Sequence, residues 1–200
     1  MNNSFQGLLD ISRGHFLLES GLHGDVWFNL EKVFLHPNVF MPFIKKLASL
    51  IGAYDLSTVC GAMVGGAFVA YSVAETLGLE FIYTERHVNA HQGARYEVSY
   101  ELPQALRSAV ANRKVGIIDD VINAGSAVTK TDEELRSCGA NTVVLASLLT
   151  VGGKSPKQFS GEYPSIVTLE HLESNLWKPS DCPLCNSGKP LIDPYGAERA

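Results

Sequence analysis

Two adjacent acids follow an apolar run in the segment "VGIIDDVINAGSAV", residues 115–128. Asp119 and Asp120 stand where a buried strand is predicted to end, and a turn then leads into a predicted helix that begins near Ser126. Backbone N–H groups in such a turn and at a helix N-terminus bind anions, and a glycine lets a phosphate come close. The two carboxylates could hold ribose hydroxyl groups or support a bound Mg²⁺. An equally open interpretation is an ordinary strand-end turn, with one solvated aspartate and one that caps the helix.

A repeating order of strands and helices positions these acids. Apolar residues at helical spacing predict a helix from Pro37 to Ile51. Five apolar strands follow, with helices at "AFVAYSVAETLG" and from about Ser126 to Cys138; the strands are "STVCG", "LEFIYT", "KVGIID", "NTVVLASLL" and "PSIVTLE". Near-continuous apolar strands alternating with helices predict an α/β fold with a parallel sheet flanked by helices. Ligands bind beyond the carboxyl ends of such strands, which is where the two acids lie.

The composition of the whole chain indicates what kind of protein it is. Its 200 residues, 46% hydrophobic and 18% charged, predict one globular domain. We divide it into a flap of two short strands (about 1–36), a core (about 37–172) and a tail (about 173–200). The net charge of −5 does not favour a nucleic-acid partner. No apolar run approaches the roughly 20 residues that span a membrane, and no signal-peptide pattern is visible, so the expected location is the cytoplasm.

Four segments, in order along the chain, resemble the orotate phosphoribosyltransferase branch of the type I phosphoribosyltransferase family. "VGIIDDVINAGSAV" resembles the ribose-phosphate signature, and "CGAMVGGAFVAYSVAETLG" resembles the pyrophosphate loop with its strand and helix. "GHFLLESGLHGDVWFNL" is similar to the N-terminal flap, and "CPLCNSGKPL" to the closing segment of one bacterial subgroup. The resemblance implies the type I fold and an enzyme that transfers ribose 5-phosphate from phosphoribosyl pyrophosphate to a pyrimidine-type base. Pyrophosphate would be released, and Mg²⁺ would be the cofactor.

The resemblance also implies roles for particular residues. Asp119 and Asp120 would hold the ribose hydroxyls and support a cationic transition state. The 5′-phosphate would bind at Asn123, Ala124, Gly125, Ser126 and Ala127. Pyrophosphate would bind at Gly61, Ala62, Met63, Val64, Gly65 and Gly66, with Mg²⁺ held through the phosphoribosyl pyrophosphate rather than by a firm protein ligand.

A mobile loop is a further feature that the resemblance implies. In the family it closes over the site, commonly from the neighbouring subunit of a homodimer. By position it falls on residues 85–100, with Glu85, His91 and Arg95 among its polar residues. Arg86 is the residue best placed to reach the pyrophosphate.

Several residues depart from the family pattern around the expected base and phosphate. Ala124 stands where a hydroxyl residue is usual, and Glu19 replaces a basic residue of the flap. Thr150, after Leu149, stands where an arginine often grips the orotate carboxylate. Two alternatives therefore stay open: a different base as acceptor, or a weakly catalytic protein that binds ligands or regulates. Trp27 and Phe28 could stack on a nucleobase, or could belong to the core of the flap.

The cysteines are too few and too unevenly spaced to predict a disulfide framework. Cys182 and Cys185 form an isolated C-x-x-C pair, which could bind zinc if other side chains complete a set of about four ligands. His171 and Cys138 are candidates for that completion. The alternative is a proline-rich tail that packs against the sheet, and the flap histidines His15 and His23 carry no predicted chemistry.

Overall fold

The structure is a computed structural model that describes residues 4–90, 96–152 and 165–194. Two sheets organise it: a six-stranded sheet of order β5-β4-β3-β6-β7-β8 and a three-stranded sheet of order β1-β2-β9. The strands are β1 Asp10–Leu17, β2 His23–Asn29, β3 Thr58–Ala62, β4 Glu80–Ala90, β5 Tyr96–Glu101, β6 Lys114–Ile122, β7 Asn141–Gly152, β8 Ile166–Glu173 and β9 Leu176–Trp177. The helices are α1 Glu31–Phe34, α2 Pro37–Ile51, α3 Gly65–Leu77, α4 Gln104–Arg107, α5 Ser126–Ser137 and α6 Pro183–Asn186.

Alternating residues of the central strands divide the hydrophobic core between the two faces of the large sheet. On β6, Ile118 packs in the cluster that contains residues of α2 and α3. Its neighbour Ile117 packs in the cluster that contains Val128 and Leu135 of α5. Successive side chains of a strand point to opposite faces, so near-continuous apolar strands require helices on both sides. The predicted fold class, a parallel sheet flanked by helices with a small flap, is confirmed.

The flap sheet joins the beginning and the end of the described chain. β1 and β2 form an antiparallel hairpin, and the two residues of β9 pair with the start of β2. The N–H of Ile192 donates to the carbonyl oxygen of His15 at 2.8 Å, and the N–H of Leu17 donates to the carbonyl oxygen of Ile192 at 2.9 Å. The tail is therefore part of the flap, and it is more regular than its composition suggested.

The described parts of the connection after the second core strand, residues 85–90 and 96–101, continue the sheet as strands. β4 runs on to Ala90 and pairs with β5 as an antiparallel extension at the edge of the sheet. This extension places Glu85 and Arg86 in a strand. The predicted loop residues His91 and Arg95 lie outside the described residues. No helix in the described part of the chain is both long enough and apolar enough to cross a bilayer.

Candidate active site

Asp119 and Asp120 lie near the carboxyl end of β6, and each is more than nine-tenths buried. One oxygen of Asp119 accepts the backbone N–H of Asp120 at 3.1 Å, and one oxygen of Asp120 accepts the N–H of Val121 at 2.8 Å. Burial and then the charge of Asp120 raise the pKa of Asp119 well above its ordinary value. Burial likewise raises the pKa of Asp120. Burial therefore disfavours the ionised form of both carboxyl groups in the free protein. Hydroxyl donors or a bound cation would stabilise that ionised form.

Glycines let the start of α3 lie directly against both acids. A Cβ atom added at Gly65 would fall 1.8 Å from Oδ2 of Asp120, and one added at Gly66 would fall 2.5 Å from Oδ1 of Asp119. A Cβ at Gly61 would fall 2.3 Å from the carbonyl oxygen of Gly66. Any larger residue at these three positions would push the loop away from the acids. The peptide bond between Met63 and Val64 in the same loop is cis.

The turn after β6 forms the N-terminus of α5. Gly125 has a φ of +82°, in the left-handed region that favours glycine, and the helix begins at the next residue. The N–H of Thr129 makes a 3.0 Å bond to the carbonyl oxygen of Gly125. The N–H groups that precede Thr129 in this first turn have no carbonyl partner within the helix, which is the arrangement that binds anions.

Glu19, in the turn between β1 and β2, reaches into the same region. Its carboxylate accepts a hydrogen bond from Nε of Arg86 at 2.8 Å and from the hydroxyl of Tyr100 at 3.1 Å. The Ser126 hydroxyl donates to it at 3.3 Å. Burial, with the charges of Glu19 and Asp119, raises the pKa of Tyr100, so this phenol is a donor at neutral pH. The Glu19 carboxylate therefore accepts hydrogen bonds from three groups that could otherwise bind a phosphate: the Arg86 guanidinium and the hydroxyls of Tyr100 and Ser126.

All these elements border one cleft of about 600 Å³. Trp27 and Phe28 of β2 form part of an apolar wall with Phe34 and Phe68. Phe28 also belongs to the main core cluster, where it is 8% exposed. Trp27 packs on the Phe16 ring, with the ring centroids 6.4 Å apart. The two alternatives predicted for these aromatics are thus compatible, because the flap core forms one side of the cleft.

The structure brings most of the predicted site residues to this cleft. Those that line it are Glu19, Trp27, Phe28, Ala62, Met63, Val64, Gly65, Gly66, Asp119, Asp120, Asn123, Ala124, Gly125, Ser126 and Ala127. Gly61 does not line the cleft and lies against the backbone of Gly66. Arg86 does not line it either, but it donates a hydrogen bond to Glu19, which does. Glu85 lies apart from it, next to the ring of His87 at 3.9 Å.

Thr150 does not take the position predicted for the base pocket. It is 3% exposed in β7, and its hydroxyl lies 3.0 Å from Nδ1 of His171 in the adjacent β8. Thr150 is paired with His171 in the register of β7 and β8, and it is not among the residues that line the cleft. His171 is also not part of the group of side chains that contains the tail cysteines.

Sequence reasoning missed two kinds of lining residue. Tyr100 follows Tyr96 and Val98 at alternating positions, a pattern typical of a strand, but nothing local in the sequence indicates that its hydroxyl reaches Glu19. Pro194 reaches the cleft from the tail, together with Asn29, Glu31 and Phe34 around α1. Among the described residues, the group of His, Cys, Asp and Glu side chains that could share a metal ion lies in the flap and tail rather than at this cleft.

Solved structures define the class of fold. Orotate phosphoribosyltransferase from Aeropyrum pernix matches with a TM-score of 0.59 at 21% identity, covering 84% of this chain and 89% of that one. Adenine phosphoribosyltransferase from Thermoanaerobacter pseudethanolicus matches with a TM-score of 0.60 at 14% identity, covering 74% of this chain and 88% of that one. The protein has the phosphoribosyltransferase fold.

Sequence relatives define the family within that class. Orotate phosphoribosyltransferase of Caldanaerobacter subterraneus subsp. tengcongensis is 31% identical over 192 residues, 95% of this chain and 93% of that protein. The orotate phosphoribosyltransferase of Wolinella succinogenes is 32% identical over 200 residues, 94% of this chain and 91% of that protein. No protein-family model matches the sequence. The chain belongs to the orotate phosphoribosyltransferase family.

Proposed function

We propose that this protein transfers ribose 5-phosphate from phosphoribosyl pyrophosphate to a pyrimidine-type base, with orotate as the first candidate, and releases pyrophosphate. The observation that carries the proposal is the buried acid pair between two anion-binding elements. The glycine loop 61–66 lies on one side of Asp119 and Asp120, and the start of α5 follows on the other. The names of the relatives at about 30% identity support the same activity.

The arrangement assigns each element a task. In the reaction the bond from ribose C1 to the pyrophosphate oxygen breaks, a bond from C1 to a ring nitrogen of the base forms, and the proton of that nitrogen passes to the pyrophosphate or to solvent. Asp119 and Asp120 accept the ribose hydroxyls and stabilise the positive charge that develops on the sugar. The 5′-phosphate binds at the N-terminus of α5, so the sugar is held at both ends. Catalysis then rests mainly on positioning and electrostatics.

Magnesium is part of the proposal. Mg²⁺ is usually bound through one or two carboxylates together with substrate phosphates. In this proposal the metal is held through the phosphoribosyl pyrophosphate, and the negative charge of Asp119 and Asp120, which line the same cleft, favours it there. When bound, the metal would neutralise charge on the departing pyrophosphate.

The aromatic wall supports a planar substrate. Trp27 and Phe28 line the cleft from the flap, and Met63 and Val64 line it from the glycine loop. A planar base bound next to these apolar side chains would bury its ring faces. Its polar edge would stay near the turn of the flap that contains Glu19. We place the acceptor base on this side and the phosphates at the helix N-termini.

Glu19 favours a second candidate function. Its carboxylate occupies the donors of Arg86, Tyr100 and Ser126, and it would repel an anionic base such as orotate. A base without a carboxylate, or ligand binding with little turnover, would meet less opposition. The two proposals differ in what the protein does with uracil and with orotate.

One assay separates these functions. The purified protein is incubated with phosphoribosyl pyrophosphate, Mg²⁺ and either orotate, uracil or adenine, and nucleotide and pyrophosphate are both measured. Product from orotate, lost in Asp120→Asn, supports the first proposal. Product from uracil alone supports a different acceptor. Ligand-dependent thermal stabilisation without product supports the binding protein, and neither product nor stabilisation with any of these ligands contradicts all of them.

A homodimer in the cytoplasm completes the proposal. Tyr71 of α3 is 61% exposed, and beside it in sequence Phe68 and Val64, which border the cleft, are 51% and 59% exposed. Exposed apolar groups of this kind mark association surfaces. Sedimentation at micromolar concentration, with Tyr71→Glu as the disrupting variant, tests the dimer; a monomer in the wild type would contradict it.

A further inference from the structure

Two histidines of the flap and two cysteines of the tail meet in one cluster. The cluster consists of His15 on β1, His23 at the start of β2, Cys182 and Cys185. Each offers one ligand atom, and the four atoms all lie within 4.8 Å of one another. His15, His23 and Cys182 are buried, and Cys185 is at the surface. Of the partners predicted for the cysteines, neither His171 nor Cys138 belongs to this group.

The separations within the cluster are close to the edges of a zinc tetrahedron. With Zn–S bonds of about 2.3 Å and Zn–N bonds of about 2.0–2.1 Å, tetrahedral geometry puts neighbouring ligand atoms about 3.3–3.8 Å apart. Nε2 of His15 lies 3.4 Å from Sγ of Cys182 and 3.7 Å from Sγ of Cys185. Nδ1 of His23 lies 3.3 Å from Sγ of Cys185. The two nitrogens, 2.9 Å apart, would have to separate slightly, and all the ligand atoms lie within 4.8 Å of one another.

A hydrogen bond behind the cluster orients one ligand. Nδ1 of His15 lies 2.9 Å from the carbonyl oxygen of Lys189, which can only accept, so Nδ1 carries the proton. Nε2 is then the unprotonated nitrogen, and it faces the cluster. Metal-binding histidines commonly donate their other ring N–H to a carbonyl in this way. The tail thus supplies both the cysteines and the group that fixes the tautomer of His15.

We propose that His15, His23, Cys182 and Cys185 bind one structural Zn²⁺ ion. The C-x-x-C spacing and the set of two sulfurs and two imidazoles match the ligands that zinc prefers. Four protein ligands leave no open position for a substrate, so the ion holds the fold together rather than performing chemistry. Without a metal, the same atoms can form a local hydrogen-bond network, and that is the alternative that the experiment must exclude.

The ion would join parts of the chain that are far apart in sequence. His15 and Cys182 are separated by 167 positions. The hairpin between the two histidines carries Glu19 and Ser20, which line the cleft, and Pro194 lines it from the tail. Zinc would therefore fix the flap to the tail and set the position of one wall of the cleft.

The metal content of the purified protein tests this proposal directly. The protein is prepared without an affinity tag that binds metal, in the presence of a reductant, and zinc per chain is measured by mass spectrometry. One zinc per chain is expected in the wild type. Cys185→Ser, chosen because Cys185 lies at the surface, should lose most of it. Cys138→Ser, a partly exposed cysteine outside the cluster, should retain it.

A second measurement does not depend on the variants folding. The wild type is stripped with a chelator and titrated with Co²⁺, which should saturate at one equivalent with the absorption of a tetrahedral thiolate site. Thermal stability should fall on stripping and return with Zn²⁺. Zinc far below one per chain that added Zn²⁺ does not restore would overturn the proposal. So would equal zinc in Cys185→Ser and the wild type, or a Co²⁺ spectrum without thiolate bands.

Discussion

The carboxylate of Glu19 and the guanidinium of Arg86 are joined at 2.8 Å across 67 positions of the chain. The side chains are only 12% and 20% exposed, so solvent screens the pair weakly. The bond connects the flap to the sheet edge at the mouth of the cleft. It also directs a cation, which would otherwise meet phosphate, toward a carboxylate of the protein itself.

Glu19→Gln should strengthen binding of anionic ligands. The amide removes one negative charge and leaves a side chain of the same shape, so it no longer repels an anion and holds Arg86 less strongly. We expect inorganic pyrophosphate or phosphoribosyl pyrophosphate to bind about tenfold more tightly, equivalent to about 1.4 kcal/mol, as measured by calorimetry. Glu31→Gln, at the exposed rim of the same cleft, is the matched control and should change affinity much less. Weaker binding by Glu19→Gln would show that Glu19 supports the ligand.

Asp119→Asn should make the free protein more stable and inactive. Burial and the charge of Asp120 raise the pKa of Asp119 in the folded state, so its ionised form opposes folding. This cost is absent below the unfolded pKa of about 3.9 and grows as the pH rises toward the higher folded pKa. At pH 7 the neutral amide should raise Tm by about 2–4 °C and lower kcat about 100-fold or more. The gain in Tm should shrink as the pH approaches 4, and a lower Tm at pH 7 would contradict the argument.

Gly65→Ala should disturb the acid pair from the other side. The new Cβ would overlap Oδ2 of Asp120, so either α3 or the carboxylate must move. We expect a loss of about 1–3 kcal/mol in the free energy of unfolding and a large loss of activity, measured by denaturant titration and turnover. Gly52→Ala is the control, because its Cβ would meet nothing closer than 3.1 Å. Wild-type activity in Gly65→Ala would show that the close approach is not needed.

Glu170→Gln should lower stability at neutral pH but not in acid. Burial works against the charge, yet hydrogen bonds from the backbone of Gln6 and Phe5 lower the pKa of Glu170 below its ordinary 4.5. The stabilisation is fully present above that value and is lost as the pH falls through the lower folded pKa. We expect a loss of about 0.5–1 kcal/mol at pH 7, allowing for solvent at this partly exposed site. Glu173→Gln, exposed on the same strand, should have little effect; an equal loss at all pH values would point to packing instead.

The sequence sufficed for those parts of the fold and site that depend on neighbours in the chain. The helix from Pro37 to Ile51 and the strand–acid–turn–helix segment around Asp119 follow from local spacing and from glycine. Contacts between distant segments did not follow from such patterns. Tyr100 meets Glu19 only because β5 folds back on β4, and the register of β7 with β8 turns Thr150 toward His171. Nothing near His15 or His23 in the sequence indicates a metal site, because the two cysteines that lie beside them in the structure belong to the tail.

The flap sheet has a consequence for synthesis on the ribosome. Two of its strands lie within the first thirty residues, but the third is Leu176–Trp177, and Ile192 pairs beside β1. The hairpin of β1 and β2 can form early in synthesis, whereas the third strand and the bridge at Ile192 are added only after residues 176–192 have emerged. The flap wall of the cleft, which includes Pro194, is therefore complete only after this segment has been made, and nascent chains that lack it should carry an unfinished site.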